Sequence, residues 1–360
     1  MYHAAAISRT LVFVALLVGS STTIGQYRAE RFGFEYDGLR YAGFIDAPEQ
    51  GKARGMIVLI PGHGCTSVTD GHTLESHRRE LIRQGWATAI WDRAGCGESE
   101  GSYDHDQSVH DSAREAVAAL NALRAMDAPG VGRLGFWSVS RGGWIAPLAI
   151  ERDGNVDFWI SVSGPSNLEN FPYMLETNIR LDGRSRRRAR DARDAWLAAQ
   201  RLVHDPSVSY ETYIERTRAM FDDPWFSRHF DSAPSREAFR EAQASAGQDP
   251  NRYDPETGMP ISVEGFDATL ESLDIPVLAL LGDKDSQVDW RRTRDFYRRT
   301  LGDDPGIELT LRVLEDCNHA MRVAETGAWR EDLSKPGLGE RCPDYWPTLR
   351  AWLDAHGTSR

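Results

Sequence analysis

The 360-residue chain has fewer basic than acidic residues, few cysteines and no long apolar run beyond its first residues. Its 42 lysines and arginines are outnumbered by 54 aspartates and glutamates, which gives a formal net charge of −12. So acidic a chain is poorly suited to the phosphates of nucleic acids, and we expect no such partner. The ten histidines and four cysteines show no metal-ligand spacing. We therefore expect no metal and no other cofactor.

The one strongly apolar run near the N-terminus, residues 11–18, follows Arg9 and precedes small polar residues. It is shorter than the roughly 20 residues that a membrane-spanning helix needs. This order is typical of an export signal, which we predict over residues 1–25 with cleavage after Thr22 or Gly25. The alternatives are an uncleaved membrane anchor and an incorrectly assigned start. Cleavage would leave no stable membrane span, and the chain would be periplasmic or secreted.

The four cysteines are compatible with an oxidising compartment. Cys65 and Cys96 follow two consecutive predicted strands, so a bridge between them would join neighbouring strand ends. Cys317 and Cys342 would form the second bridge. Four cysteines permit three pairings, however, and the sequence does not choose among them. Four free thiols are the alternative.

Short apolar strands alternate with helices along most of the chain. Alternating residues over 31–47, with a turn at Asp37-Gly38, predict a hairpin. Further strands are predicted at 56–60, 87–91, 133–139, 158–162, 276–281 and 308–314, and helices at 74–84, 108–126, 145–150 and 345–356. Buried strands that alternate with helices indicate an α/β fold with a mostly parallel sheet covered on both faces.

A long polar and helical stretch interrupts this alternation. We interpret residues 165–273 as an inserted helical cap, and residues 26–164 together with 274–360 as the core. The cap carries a basic run with interleaved acids: Arg184, Arg186, Arg187, Arg188, Arg190 and Arg193 with Asp191 and Asp194. The run could bind an anionic substrate group. The charge pattern favours the alternative, a solvated helix face with local ion pairs.

Ser140 lies where the strand at 133–139 is expected to turn into a helix. Its neighbours at minus two and plus two, Ser138 and Gly142, are small, as the sharp turn of a nucleophile elbow requires. Ser138 is the poorer candidate, because Phe136 is its own minus-two neighbour. An ordinary strand-to-helix turn could show the same pattern.

A serine hydroxyl needs a base to take its proton and a carboxylate to orient that base. In a parallel sheet, such groups belong in loops at the carboxyl ends of strands. Asp285 occupies such a loop, with Asp283 and Asp289 as competitors, and His319 follows the last predicted strand. A polar turn and a structural histidine are the alternatives.

Backbone N–H groups must also face the negative charge that develops on the substrate carbonyl. One is expected at Arg141, because it follows Ser140 at a helix start, where amides lack a helical partner. The other is expected at His63, with Gly64 as the next candidate. Gly62 and Gly64 let this loop curl toward a ligand.

Together these motifs resemble the α/β-hydrolase superfamily over nearly the whole mature chain. Residues 92–99 (Asp-Arg-Ala-Gly-Cys-Gly-Glu-Ser) are similar to an Asp-x-x-Gly-x-Gly-x-Ser loop common in its members, and residues 61–64 (Pro-Gly-His-Gly) to their His-Gly-x-Gly oxyanion loop. The resemblance implies an α/β-hydrolase fold with an inserted cap, Ser140 as nucleophile, Asp285 as acid and His319 as base. Dehalogenases and epoxide hydrolases of this superfamily use aspartate instead, which Ser140 argues against.

Two positions depart from the family pattern. Ser138 replaces the usual glycine of the elbow, and Asn318 precedes His319 where many members have glycine. Neither change removes a reactive group.

The expected function is that of an exported serine hydrolase that cleaves a carboxylic ester or related acyl bond of a small molecule through an acyl-enzyme. An aminopeptidase-like peptidase, a thioesterase and an acyltransferase are alternatives with the same triad. Many such peptidases carry an aromatic residue directly after the nucleophile, whereas this chain has Arg141, which favours an esterase. A non-catalytic binding protein on a hydrolase fold is the alternative of a different class. The sequence gives no oligomeric state.

Overall fold

The computed structural model describes residues 22–24, 27–69, 73–105, 107–229, 233–246, 253–302 and 307–356. Of the predicted export signal only Thr22–Ile24 falls within these ranges, as a short strand. The rest of the signal lies outside them, and the signal stays a prediction. Among the helices that can be described, none combines the length and apolar composition that crossing a bilayer requires.

The chain divides into two compact units. The first comprises Met1–Leu59 and Gly64–Leu134, and the second comprises Ile60–His63 and Gly135–Arg360.

The first unit contains a hairpin and a pair of parallel strands. Its strands are β1 (Thr22–Ile24), β2 (Tyr27–Tyr36), β3 (Leu39–Pro48), β4 (Met56–Ile60) and β5 (Ala87–Trp91), and its helices are α1 (Glu75–Arg83) and α2 (Val109–Ala125). β2 and β3 pair antiparallel around Asp37-Gly38, which confirms the predicted hairpin. β3 pairs antiparallel with β5, and β5 pairs parallel with β4.

The second unit has parallel strands in the order β6-β7-β8-β9. They are β6 (Leu134–Val139), β7 (Phe158–Val162), β8 (Val277–Gly282) and β9 (Leu309–Leu314). Its helices are α3 (Gly142–Asp153), α4 (Phe171–Leu181), α5 (Arg186–Val203), α6 (Tyr210–Phe221), α7 (Phe226–His229), α8 (Arg236–Ala246), α9 (Phe266–Glu271), α10 (Trp290–Leu301) and α11 (Tyr345–His356).

The continuous apolar strands are buried along their whole length, as their composition predicts. Every residue of β4, β5, β7 and β8 is buried. Such strands have no solvent-facing side, so they need apolar residues at every position rather than at alternate ones. Their burial fixes the carboxyl ends of β7 and β8, from which two loops of the candidate site emerge.

Helices α4 to α9 fill the chain between β7 and β8, where the cap was predicted. Five of them, α4 to α8, share an apolar cluster of their own, with Leu175, Tyr213, Trp225 and Phe239 among its buried members. The division of the chain into core and cap stays a prediction.

Both cysteine pairs that fitted the predicted strand order are joined. Cys65 is bonded to Cys96 and Cys317 to Cys342, with Cα–Cα distances of 5.8 and 6.0 Å. No cysteine is free. Disulfides of this kind persist in oxidising compartments.

Candidate active site

Ser140 occupies a sharp turn between β6 and α3. Its φ of 54° lies in the left-handed region, which is uncommon for a residue other than glycine. The turn is held from both sides, because the amide of Ser140 donates to the carbonyl of Val162 at 3.0 Å and its own carbonyl accepts from Gly143 at 2.7 Å. Ser140 is half-buried. A strained serine held in this way is typical of a nucleophile elbow.

Two glycines allow the backbone to approach this turn. A Cβ added to Gly142 would lie 2.5 Å from the carbonyl oxygen of Ile60, and one added to Gly62 would lie 3.1 Å from the Cβ of Ser140. The loop predicted to donate to the oxyanion therefore passes directly beside Ser140. His63 follows at the next position and exposes its side chain to solvent. Arg141 lies at the N-cap of α3.

Ser138 has a different environment. It is fully buried within β6, and its hydroxyl accepts a hydrogen bond from Nε1 of Trp159 at 2.8 Å. The hydroxyl of Ser138 also lies 3.5 Å from the carbonyl of Ile160. These contacts give the hydroxyl a structural role in the sheet, and they explain why a serine replaces glycine here.

Buried Asp285 and partly buried His319 form a hydrogen-bonded pair. Oδ2 of Asp285 lies 2.8 Å from Nδ1 of His319, and the aspartate is only 2% exposed. Its other oxygen, Oδ1, accepts from the amides of Gln287 at 2.8 Å and Val288 at 2.9 Å. One carboxylate oxygen is thus held by the loop and the other faces the imidazole. A proton on Nδ1 leaves the lone pair of Nε2 available to accept a proton, so the imidazole can act as a base.

The competing aspartates have other partners. Oδ1 of Asp283 accepts from the amide of Cys317 at 3.3 Å. Asp289 caps α10 by accepting from the amide of Arg292 at 3.2 Å, and its carboxylate pairs with that guanidinium at 3.1 Å. Of the three aspartates, Asp285 alone is bonded to His319.

Asn318 shapes the loop that presents His319. Its Oδ1 accepts from the amides of Ala320 and Arg322, both at 3.0 Å. The disulfide Cys317–Cys342 fixes the residue before it. The side chain of Asn318 thereby holds the loop closed at the position where many superfamily members have glycine.

Ser163 is a residue of this site that the sequence analysis did not identify. It is fully buried, with a φ of 47°. Its amide donates to the carbonyl of Leu280 in β8, and its hydroxyl donates to the carbonyl of His319, both at 2.8 Å. The preceding residue, Val162, accepts from the amide of Ser140. The end of β7 therefore ties together the elbow and the loop that carries the histidine.

The hydroxyl of Ser140 makes no hydrogen bond to His319 in the described part of the chain. The two are connected through Val162 and Ser163, as described above. Hydrogen bonds between catalytic groups are often long in free enzymes and tighten only when substrate is bound.

Helix α4 supports the loop of Asp285. The hydroxyl of Tyr173 donates to the carbonyl of Asp285 at 2.8 Å, and the amide side chain of Asn178 donates to the carbonyl of Ser286 at 3.0 Å. Burial raises the pKa of Tyr173 to about 12, so the phenol remains a donor throughout the neutral range. These two hydrogen bonds fix the backbone of the loop that carries Asp285.

Within the described ranges, no cluster of three or more histidine, cysteine or acidic side chains could hold a metal ion.

No protein-family model and no curated protein matches the chain. Solved structures do match it. An esterase of Pyrococcus furiosus has a TM-score of 0.52 at 11% identity, covering 91% of both chains. Est1E of Butyrivibrio proteoclasticus, bound to ferulic acid, has 0.50 at 13%, covering 90% of this chain and 96% of its own. A proline iminopeptidase of Mycobacterium smegmatis has 0.50 at 16%, covering 91% and 99%.

These matches share one architecture, and with the parallel strand order they confirm the predicted fold class. The chain has an α/β-hydrolase fold.

Proposed function

We propose that the chain is an exported serine hydrolase that cleaves a carboxylic ester or related acyl bond of a small molecule. The observation that carries the proposal is the hydrogen-bonded Asp285–His319 pair, linked through the end of β7 to a strained serine at an elbow. The two disulfides support the exported location, because such bonds persist outside the cytosol.

In the proposed reaction, Oγ of Ser140 attacks the substrate carbonyl while Nε2 of His319 takes the hydroxyl proton. Asp285 stabilises the imidazolium that forms. The amides of His63 and Arg141 donate to the oxyanion of the tetrahedral intermediate. The intermediate collapses as His319 returns the proton to the leaving alcohol, and Ser140 is left acylated. Water, deprotonated by His319, then attacks the acyl-enzyme; the bond between Oγ and the acyl carbon breaks, His319 returns the proton to Oγ of Ser140, and the acid leaves.

The strained turn supports the role of Ser140. With the amide of Ser140 bonded to Val162 and its carbonyl to Gly143, the side chain is the only polar part of this residue left to act. The close approach of Gly62 to Ser140 supports the amide of the next residue, His63, as an oxyanion donor. A site of this kind supplies its electrostatic stabilisation without reorganising during the reaction.

A peptidase is the second candidate, because a proline iminopeptidase matches the fold about as well as the esterases do. Both activities use the same triad and differ in the leaving group. We favour the esterase because Arg141 follows Ser140 directly, at the position where many such peptidases carry an aromatic residue.

Paired assays test the proposal and separate the two candidates. The purified protein is given 4-nitrophenyl acetate and butyrate in one series and prolyl and alanyl 4-nitroanilides in the other. We expect ester hydrolysis that falls by about three orders of magnitude or more in Ser140→Ala. Ser138→Ala is the matched control, because it removes a nearby hydroxyl that the sheet already uses. An active Ser140→Ala protein would overturn the proposal, and preferred cleavage of the anilides would favour the peptidase.

A further inference from the structure

A cavity of about 370 Å³ lies where α4 meets the start of α5. It is lined by Thr177, Arg180, Leu181, Arg184 and Arg186. None of these residues belongs to the proposed catalytic set. Binding sites for small molecules commonly occupy about 300 to 1,000 Å³, so the cavity is large enough for a small ligand.

Most of the basic run on α5 is neutralised by local acids, as its charge pattern predicts. Arg187 lies 3.7 Å from Asp191, and Arg188 pairs with Asp223. Arg193 pairs with Glu176 at 2.7 Å. These arginines belong to an ion-paired helix face.

The arginines of the cavity have fewer acidic partners than Arg187, Arg188, Arg190 and Arg193, of which only Arg190 has none in the described ranges. In the part of the chain that the structure describes, Arg180 and Arg186 have no acidic partner, and Arg184 has only Asp182, at 3.6 Å. Three exposed arginines therefore line one cavity, and only Arg184 of the three is ion-paired among the described residues. Like charges that line one cavity repel one another, and a bound anion would relieve the repulsion.

The same cavity exposes an apolar side chain. Leu181 is 39% exposed, one of the few large apolar residues in the described ranges that remain so accessible. Thr177 adds a hydroxyl to the lining. A cavity with cations, a hydroxyl and an apolar wall matches a ligand that has an anionic group attached to a short apolar body.

We propose that this cavity binds the oxyanion group of a small amphipathic ligand, such as a carboxylate or sulfonate on an aliphatic chain. The planar guanidinium presents paired N–H donors that fit two oxygens of such a group. The site goes beyond the proposed catalytic function and does not depend on it.

Helix α4 links the cavity to the acid loop. Tyr173, which donates to the carbonyl of Asp285, precedes Arg180 by two turns. A rise of 1.5 Å per residue places them about 10 Å apart along the helix. The anion could therefore be the distal group of a substrate held at Ser140 or a separate ligand, and the chemistry of recognition is the same for both.

Calorimetric titration of 1-hexanesulfonate at low salt tests the site. It is carried out on the Ser140→Ala protein, so that the result does not depend on turnover. We expect binding, and we expect its Kd to rise about tenfold or more when R180A/R186A is combined with Ser140→Ala. The matched control is R187A/R190A, which removes the same charge from α5 outside the cavity and should change Kd less than about twofold. Hexylamine should not bind.

A kinetic comparison identifies the source of the ligand. The mono-4-nitrophenyl ester of suberic acid carries a distal carboxylate that 4-nitrophenyl octanoate lacks. If the site serves the substrate, the suberate ester has the lower KM, and R180A/R186A abolishes that advantage with kcat unchanged. Hexanesulfonate binding with no such KM difference would assign the site to a separate ligand. Absence of hexanesulfonate binding, or equal weakening in both double variants, would overturn the site. A protein inactive on every ester that still binds hexanesulfonate would overturn the proposed function alone.

Discussion

Replacing Ser163 by alanine should slow the proposed reaction by displacing His319, and not by removing a contact with the substrate. The hydroxyl of Ser163 donates to the carbonyl of His319 at 2.8 Å, and the residue is fully buried. Alanine also has a Cβ, so the positive φ of 47° is equally unfavourable in the variant. The substitution therefore removes one hydrogen bond and leaves the backbone strain unchanged.

The size of the effect follows from the lost bond. A buried carbonyl left without its donor lowers the free energy of unfolding by about 1–3 kcal/mol. If about 1.4 kcal/mol of that stabilisation holds His319 in its reactive position, kcat falls about tenfold. KM should change little, because the lost hydrogen bond acts on the loop that carries His319.

Ser161→Ala provides the control. Ser161 lies two residues earlier in β7, is also fully buried, and its hydroxyl bonds to that of Tyr297 at 3.2 Å. Its loss should reduce stability by a similar amount and leave kcat within about twofold. Both variants are compared by urea unfolding and by kcat and KM on 4-nitrophenyl butyrate. Unchanged kcat in Ser163→Ala, or an equal fall in Ser161→Ala, would refute the positioning role.

Three further outcomes follow from the same contacts. Asp285→Asn should lower kcat by about four orders of magnitude, because an amide that donates to Nδ1 leaves the proton on Nε2. Asp283→Asn keeps its acceptor oxygen and should leave kcat nearly unchanged. Ester kinetics of both variants test this difference. The double variant C317S/C342S opens a loop whose ends are 25 residues apart, and denaturant titration should show a loss of about 3 kcal/mol. Burial raises the pKa of Glu115, so the folded state favours the protonated carboxyl. The stability that this protonation supplies is present below the pKa of the unfolded state and is lost as the pH rises through the pKa of the folded state. Melting curves of Glu115→Gln across pH 4–9 should therefore show a smaller loss of stability with rising pH than those of the parent protein.

Local patterns were sufficient to predict most of the fold. The strands at 56–60, 87–91 and 158–162 and the helix at 345–356 have the bounds that their composition predicts. Continuous burial requires apolar residues throughout such strands, so their ends are visible in the sequence. The strand predicted at 276–281 is displaced by one residue, because Gly282 pairs with Leu314 in β9, a contact that no local pattern contains.

The candidate site was predictable only in part, for a related reason. Chain order and small neighbours single out Ser140, which is local information. The choice of Asp285 over Asp283 depends on which carboxylate faces a histidine 34 residues away. The contact of Ser163 with the histidine loop spans 156 residues, and nothing around Ser163 signals it beyond the end of a strand. The cysteine pairing, which the sequence left open, likewise required the structure.

The most direct test of the central claim is the position of a covalent adduct. The folded protein is treated with diisopropyl fluorophosphate, digested with trypsin and fragmented by mass spectrometry. Cleavage after Arg133 and Arg141 gives a peptide, residues 134–141, that contains both Ser138 and Ser140. The account expects the adduct on Ser140, formed much more slowly in His319→Ala. An adduct on Ser138, or no adduct on the folded protein, would contradict it.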